Sequence, residues 1–140
     1  QAGVYVYTGS ACGPGGLRAR LRHHLAVKHR LHWHIDYLHR AAAPFKIWYS
    51  ENTHDSEHAW AGICCGMEGA SIPLPRFGAS DCQCAAHLFY FKTAPDFSAF
   101  EQRLPAAAAS RRKIVRVTDI TAAMPGVLQR RRENDNREIA

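Results

Sequence analysis

The sequence predicts an α+β fold in which a small antiparallel sheet is flanked by helices. Residues 4–8 (VYVYT) alternate between apolar and polar positions, which is typical of a strand with Tyr5 and Tyr7 on one face. Residues 45–49 (FKIWY) and 87–91 (HLFYF) are short aromatic runs that also indicate strands. With 140 residues, 46% of them hydrophobic, the chain can build a globular core.

Apolar residues at helical spacing separate these strands. Leucines at 17, 21 and 25 predict a helix from about residue 16 to residue 28, and residues 32–40 predict a short second helix. Asp55 and Ser56 can cap a third helix that continues to about residue 68. Its buried stripe is expected to consist of Ala59, Trp60, Ile63, Cys64 and Met67.

The composition changes after residue 93. A helix is expected at 96–104, a flexible link at 106–110, a strand at 113–120 and a polar basic end at 129–140. We therefore divide the chain into a domain of residues 1–93 and a partly helical C-terminal extension of residues 94–140.

Positive charge is concentrated in the first part of the chain. The formal net charge is +6, and residues 1–50 carry seven Lys and Arg but a single acid, Asp36. Such a balance favours a polyanion such as nucleic acid, and the alternative is a solvated basic helix face. No run approaches the about 18 apolar residues that a membrane span needs, so no membrane partner is expected.

A glycine-rich loop at residues 9–16 precedes the first helix and resembles a phosphate-binding turn. It fits neither the P-loop, which requires Gly-Lys-Ser/Thr, nor the Gly-x-Gly-x-x-Gly dinucleotide fingerprint. The helix after it is more informative, because Arg20 and His24 lie four residues apart on one face, and Arg18 and Arg22 form a second such pair. An arginine placed there can contact a phosphate through its guanidinium fork, whereas the alternative is an ordinary basic surface.

Tyr7-Thr8-Gly9 followed by Arg20 and His24 resembles the second half of the signature of the GIY-YIG nucleases. The blocks GSACGPGGLRARLRHH, LHWHIDYL, SEHAWA and FGASDCQCAAHLFYF are similar to one subfamily in particular, the domain of unknown function 123. Together these blocks cover roughly residues 3–92, the greater part of the domain of residues 1–93.

The resemblance implies a metal-dependent endonuclease that hydrolyses phosphodiester bonds, with DNA expected before RNA. It implies Glu57 as the ligand of Mg²⁺ or Mn²⁺, Tyr7 as the group that orients or deprotonates the attacking water, and Arg20 as the contact to the scissile phosphate. It implies His24 as a proton relay or phosphate contact. Other residues expected to contact the nucleic acid are Arg18, Arg22, Lys28, His32 and His34.

The Gly-Ile-Tyr motif that precedes these residues in GIY-YIG nucleases has no match here. The chain is therefore expected to be either a fragment whose first strand lies upstream of Gln1 or a divergent member. The alternative function is a nucleic-acid-binding module that keeps the fold without cleaving.

The chain has five cysteines, and its sequence shows no secretion signal. This combination favours reduced thiols and a cytoplasmic location. Cys82, Cys84 and His87 have a spacing that can hold a structural zinc ion, with His32 or His34 as a fourth ligand. The alternative is a packed loop in which Asp81 and His87 form hydrogen bonds.

Overall fold

A computed structural model describes residues 2–25, 34–51 and 57–104, and the backbone of a strand at 112–116. The described chain is α+β, with small two-stranded sheets and short helices, which confirms the fold class predicted from the sequence. In chain order the elements are β1 (Val4–Tyr7), α1 (Gly16–Leu25), α2 (His34–Leu38), β2 (Lys46–Ser50), α3 (Glu57–Cys65), β3 (Leu88–Phe91), α4 (Phe97–Glu101) and β4 (Arg112–Arg116).

The chain divides into two compact units. The first consists of Gln1–Ser10 and Ser50–Arg112, and the second of Ala11–Tyr49 and Lys113–Ala140. Strands β1 and β3 form one sheet, and β2 and β4 form another.

The sheet of the first unit is centred on β3. Strand β1 pairs with it antiparallel, from Val4 opposite Phe91 to Tyr7 opposite Leu88. On the other edge of β3, the backbone of Ser71 exchanges two hydrogen bonds with that of Tyr90, at 2.9 and 2.8 Å. Because β3 has neighbours on both edges and is covered on both faces, all four of its side chains are buried.

Helices α3 and α4 contribute further side chains to this core. Phe100 of α4 is 0% exposed, and its ring meets that of Trp60 of α3 at a centroid distance of 5.0 Å and an angle of 70°. Asp96 caps α4, since its side chain accepts a hydrogen bond from the backbone N–H of Ala99 at 3.2 Å. A helix is thus present within the expected range of 96–104, but it is shorter, from Phe97 to Glu101.

In the second unit, α1 begins from a glycine turn in which the N–H of Gly16 donates to the carbonyl of Gly13 at 3.0 Å. Gly15 has a φ of +82°, a conformation that other residues rarely adopt, and so the turn requires glycine there. Leu21 and Leu25 are buried as the spacing predicted. On α2, Asp36 is only 3% exposed, and its carboxylate lies 3.7 Å from Nε2 of His23.

Strands and helices fall where the sequence patterns predicted them, with one error in α3. Ala59 was expected in the buried stripe but is exposed, and Ala61 is buried in its place. Cys64 and Met67 are buried as expected, and Trp60 and Ile63 are half-buried. The helix ends at Cys65, so that Met67 lies just beyond it. The proposed caps Asp55 and Ser56 lie outside the described residues, as do 26–33, 105–111 and 117–140.

Two other expectations concern the chain as a whole. The division at residue 93 stays a prediction, as does the cytoplasmic location. Among the described residues, every helix is too short or too polar to cross a membrane.

Candidate metal centre

Four side chains in the first unit form a compact group of nitrogen and sulfur atoms. They are His58, Cys82, Cys84 and His87, and one ligand atom of each lies within 4.8 Å of those of the other three. His58 is the second residue of α3, and the other three belong to the segment that leads into β3. We call this set the Cys2His2 group; it can bind a metal ion.

The two cysteine–histidine pairs of the group are close. Sγ of Cys82 lies 3.3 Å from Nε2 of His87, and Sγ of Cys84 lies 3.5 Å from Nδ1 of His58. The two imidazole rings meet edge to face, with centroids 5.7 Å apart. Each thiol is therefore paired with one imidazole, and the His58–Cys84 pair brings together residues 26 positions apart in the chain.

The backbone of His87 is held from two sides. Its N–H donates to the carbonyl of Phe77 at 2.8 Å, and its carbonyl accepts from the N–H of Thr8 at 3.0 Å. The residue is only 2% exposed. His87 is therefore fixed by the end of the β1–β3 ladder, and its ring has little freedom to leave the group.

Arg76 organises the loop that carries Cys84. Its φ of +64° makes it the one non-glycine residue with positive φ in the described part of the chain. Its backbone N–H donates to the carbonyl of Ala85 at 2.7 Å, and its Nη1 donates to the carbonyl of Cys84 at 2.9 Å. These two bonds offset the unfavourable backbone conformation and fold the loop around the thiol.

Tyr7 borders the Cys2His2 group through Gly78. A methyl group at Gly78 would lie 3.2 Å from Cβ of His87 and 3.3 Å from Cε2 of Tyr7, so both residues flank this glycine closely. The ring of Tyr7 also packs edge to face on Phe77, with centroids 6.3 Å apart. Tyr7, at the end of β1, is thus adjacent to a residue of the group.

Glu57 borders the group on the side of His58. Its Oε1 lies 3.9 Å from Nε2 of His58, the ring nitrogen opposite to the one that faces Cys84. The pKa of the Cys84 thiol is raised, first by partial burial, then by the neighbouring Cys82 and by the carboxylate of Glu57, while Arg76 lowers it. The thiol of Cys84 is therefore less acidic than that of an isolated cysteine.

The remaining residues predicted from the sequence lie in the second unit. Arg20 and His24 are half-buried on α1, with Nε of Arg20 and Nε2 of His24 buried, whereas Arg18 and Arg22 are exposed. His34 is exposed at the start of α2. Lys28 and His32 lie outside the described residues.

Three of the four members of the group, Cys82, Cys84 and His87, were expected together from their spacing. The group is completed by His58, where the sequence analysis had expected His32 or His34. Nothing in a linear spacing indicates His58, because it depends on the start of α3 lying beside the segment before β3. Its one sequence signal is its position in the block SEHAWA, directly after Glu57.

The fold and the Cys2His2 group define a small α+β protein with a candidate metal centre. More specifically, the chain belongs to the family described as Domain of unknown function DUF123, whose model matches residues 1–108. No curated protein matches the chain. No solved structure matches it either.

Proposed function

We propose that this chain is a metal-dependent endonuclease domain that hydrolyses phosphodiester bonds in DNA. The proposal rests on the similarity of its Tyr-x-Gly, Arg, His and Glu residues to the signature of GIY-YIG nucleases. One structural observation supports it most directly. Tyr7 and Glu57 are 50 positions apart in the chain, yet both border the Cys2His2 group.

Each residue would have a distinct role in the reaction. Tyr7 orients the attacking water through its hydroxyl or, in its phenolate form, accepts the proton of that water. The guanidinium of Arg20 binds the oxygens of the scissile phosphate, where negative charge increases in the transition state. The imidazole of His24, one helical turn further along α1, relays a proton or contacts the phosphate.

Glu57 fits the role of a magnesium ligand in this proposal. Its side chain is 26% exposed, so that it can reach a hydrated cation at the surface. A single carboxylate with several waters is a normal Mg²⁺ site, because this ion keeps much of its hydration. When bound, Mg²⁺ or Mn²⁺ would supply Lewis-acid polarisation of a phosphate oxygen. The nitrogen and sulfur donors of the Cys2His2 group do not suit Mg²⁺, and only Glu57 is assigned to it.

The test is nicking of supercoiled plasmid and of branched DNA in Mg²⁺, with an RNA of the same sequence as a parallel substrate. Wild type is compared with Glu57→Ala and with Glu68→Ala, an exposed carboxylate beyond the end of α3 that serves as a matched control. We expect nicking by wild type and Glu68→Ala, and its loss in Glu57→Ala. Equal cutting by all three proteins would contradict the assignment of Glu57 as the magnesium ligand. Cutting of RNA alone would show that the substrate is RNA and not DNA.

A second candidate is a nucleic-acid-binding module without catalysis. It is favoured by α1, which contains no acidic residue and exposes Arg18 and Arg22 one turn apart. This candidate predicts binding that weakens steeply with salt, with a shallower salt dependence in the Arg18→Ala/Arg22→Ala double variant. Binding with no cleavage in Mg²⁺ or Mn²⁺ would favour it over the nuclease. No binding at low salt would exclude it.

A further inference from the structure

We propose that His58, Cys82, Cys84 and His87 bind one structural zinc ion. This proposal is independent of nuclease activity, because it concerns a set of donors that does not include the assigned catalytic residues. It changes the ligand set expected from the sequence, in that the fourth ligand is His58 of α3.

The separations of the donor atoms match a tetrahedral zinc site. With Zn–S of about 2.3 Å and Zn–N of about 2.0–2.1 Å, a sulfur and a nitrogen on the same tetrahedron lie about 3.5 Å apart. The two pairs in the group measure 3.3 Å for Cys82 with His87 and 3.5 Å for Cys84 with His58. All four atoms already lie within 4.8 Å of one another, so a central ion needs only small side-chain adjustments.

The chemistry of the donors selects zinc. Two thiolates and two neutral imidazoles neutralise the charge of one Zn²⁺, and thiolates are poor ligands for Mg²⁺ and Ca²⁺. Binding converts the thiols of Cys82 and Cys84 into thiolates, so that two protons are released for each zinc bound. Because four protein atoms complete the tetrahedron, no position is left for a reacting water, and the ion is structural.

The surroundings of the group resemble the outer shell of a zinc site. A zinc-bound histidine usually donates its other ring N–H to a carboxylate or carbonyl. His58 directs Nδ1 to Cys84, and its Nε2 lies 3.9 Å from the carboxylate of Glu57, which is beyond hydrogen-bond distance but close enough for a small side-chain movement to form the bond. Arg76 holds the carbonyl of Cys84 at 2.9 Å and so fixes the loop before the ion arrives.

The ion would connect two elements that carry the assigned functional residues. It ties the first turn of α3, which bears Glu57, to the segment before β3, whose residue His87 flanks Gly78 together with Tyr7. Zinc bound in this way cross-links residue 58 to residues 82–87. Its removal is therefore expected to increase the mobility of the first turn of α3 and of the segment before β3.

The first test measures zinc in protein purified without chelators and then dialysed against excess zinc-free buffer. We expect one zinc per chain in wild type and in the controls His34→Ala and Cys12→Ser, both of which change exposed residues. Removal of an outer-shell partner typically lowers metal affinity by about 10–100-fold. Because Cys82 and His58 would contact the ion directly, we expect Cys82→Ser and His58→Ala to lower zinc affinity by more than about 100-fold. Zinc binding unaffected in His58→Ala but lost in His34→Ala would overturn the ligand set. Absence of zinc from folded wild type, even after reconstitution, would overturn the site.

A second measurement applies to wild type and does not depend on whether the variants fold. Cobalt(II) titrated into the chelator-stripped chain is expected to give the strong d–d absorption of a tetrahedral ion and a thiolate-to-metal charge-transfer band. Cobalt binding is expected to release two protons per ion, and both spectral features are expected to disappear, without further proton release, when one equivalent of zinc is added. Weak octahedral absorption, or no proton release, would contradict the proposal.

Discussion

The thiol of Cys64 is expected to be nearly inert, although the adjacent Cys65 is exposed. Cys64 is 1% exposed on the inner face of α3, and burial, with a smaller effect of Cys65, raises its pKa from 9.0 to about 12. The thiolate is the reactive form, so a pKa higher by about three units lowers the reactive fraction about 1000-fold near neutral pH. Steric exclusion of the reagent lowers the rate further.

The assay is alkylation of the native chain by iodoacetamide near neutral pH, with each cysteine followed by mass spectrometry of its peptide. Cys65 is the matched control, because it is the neighbour of Cys64 in sequence and differs from it in exposure. We expect Cys65 and Cys12 to be modified far faster than Cys64, because exclusion of the reagent adds to the low thiolate fraction of Cys64, which the higher nucleophilicity of its thiolate offsets only in part. Modification of Cys64 then reports unfolding. Comparable rates for Cys64 and Cys65 in folded protein would refute the packing of α3 on the core.

The same experiment separates the thiols of the proposed zinc site, Cys82 and Cys84, from the buried thiol of Cys64. With zinc bound, Cys82 and Cys84 are expected to be protected, and a chelator is expected to expose them while Cys64 stays protected. If chelator treatment leaves the rates of Cys82 and Cys84 unchanged in a preparation that contains zinc, the ion is held elsewhere.

Three further perturbations test the fold around the site. Gly78→Ala places a methyl group 3.2 Å from His87 at a φ of +71°, and we expect chemical denaturation to show a loss of about 1–3 kcal/mol with weaker zinc binding. The control Gly62→Ala, in α3 with open space around it, should be neutral or stabilising. Asp96→Ala removes the cap of α4 and is expected to cost about 1 kcal/mol, whereas Asp96→Asn should retain most of it; equal losses would contradict the cap. Because the pKa of Cys64 is higher in the folded chain, its stabilising contribution is complete below pH 9 and is lost as the pH rises from 9.0 to about 12, so Cys64→Ala should flatten the alkaline loss of stability.

Local patterns predicted the elements of this chain well, because each pattern depends on neighbouring residues. The alternation of residues 4–8 identified β1, and leucines spaced by four identified the inner face of α1. On α3 the expected burial of Ala59 was wrong and that of Ala61 was missed, since nearly every residue there is apolar or small and the sequence offers no polar side to orient the helix. Which of Ala59 and Ala61 is buried cannot be predicted without knowing where β3 and Phe100 lie.

Prediction of the candidate site from the sequence is likewise limited by contacts between residues that are distant in the chain. Cys82, Cys84 and His87 lie within six positions, so their spacing alone indicated a metal. His58 joins them only because α3 packs against β3, and the positive φ of Arg76 turns the loop towards it. Nearby ligands in the chain can be predicted from a motif, whereas a ligand supplied by another element requires the tertiary structure.

Glu57 has a place in both proposals, and this affects how a loss of activity is interpreted. As a magnesium ligand it would act on the substrate directly, and as the carboxylate near Nε2 of His58 it would act through the zinc ligand. The two roles differ in the zinc content of Glu57 variants. A variant that keeps its zinc but loses nicking has lost a catalytic residue, since the Cys2His2 group still holds its geometry. A variant that loses both has lost a positioning residue, and nicking should then return when zinc is supplied in excess. Zinc content must therefore be measured on the same preparation as nicking, because activity alone cannot separate the two proposed roles of this carboxylate.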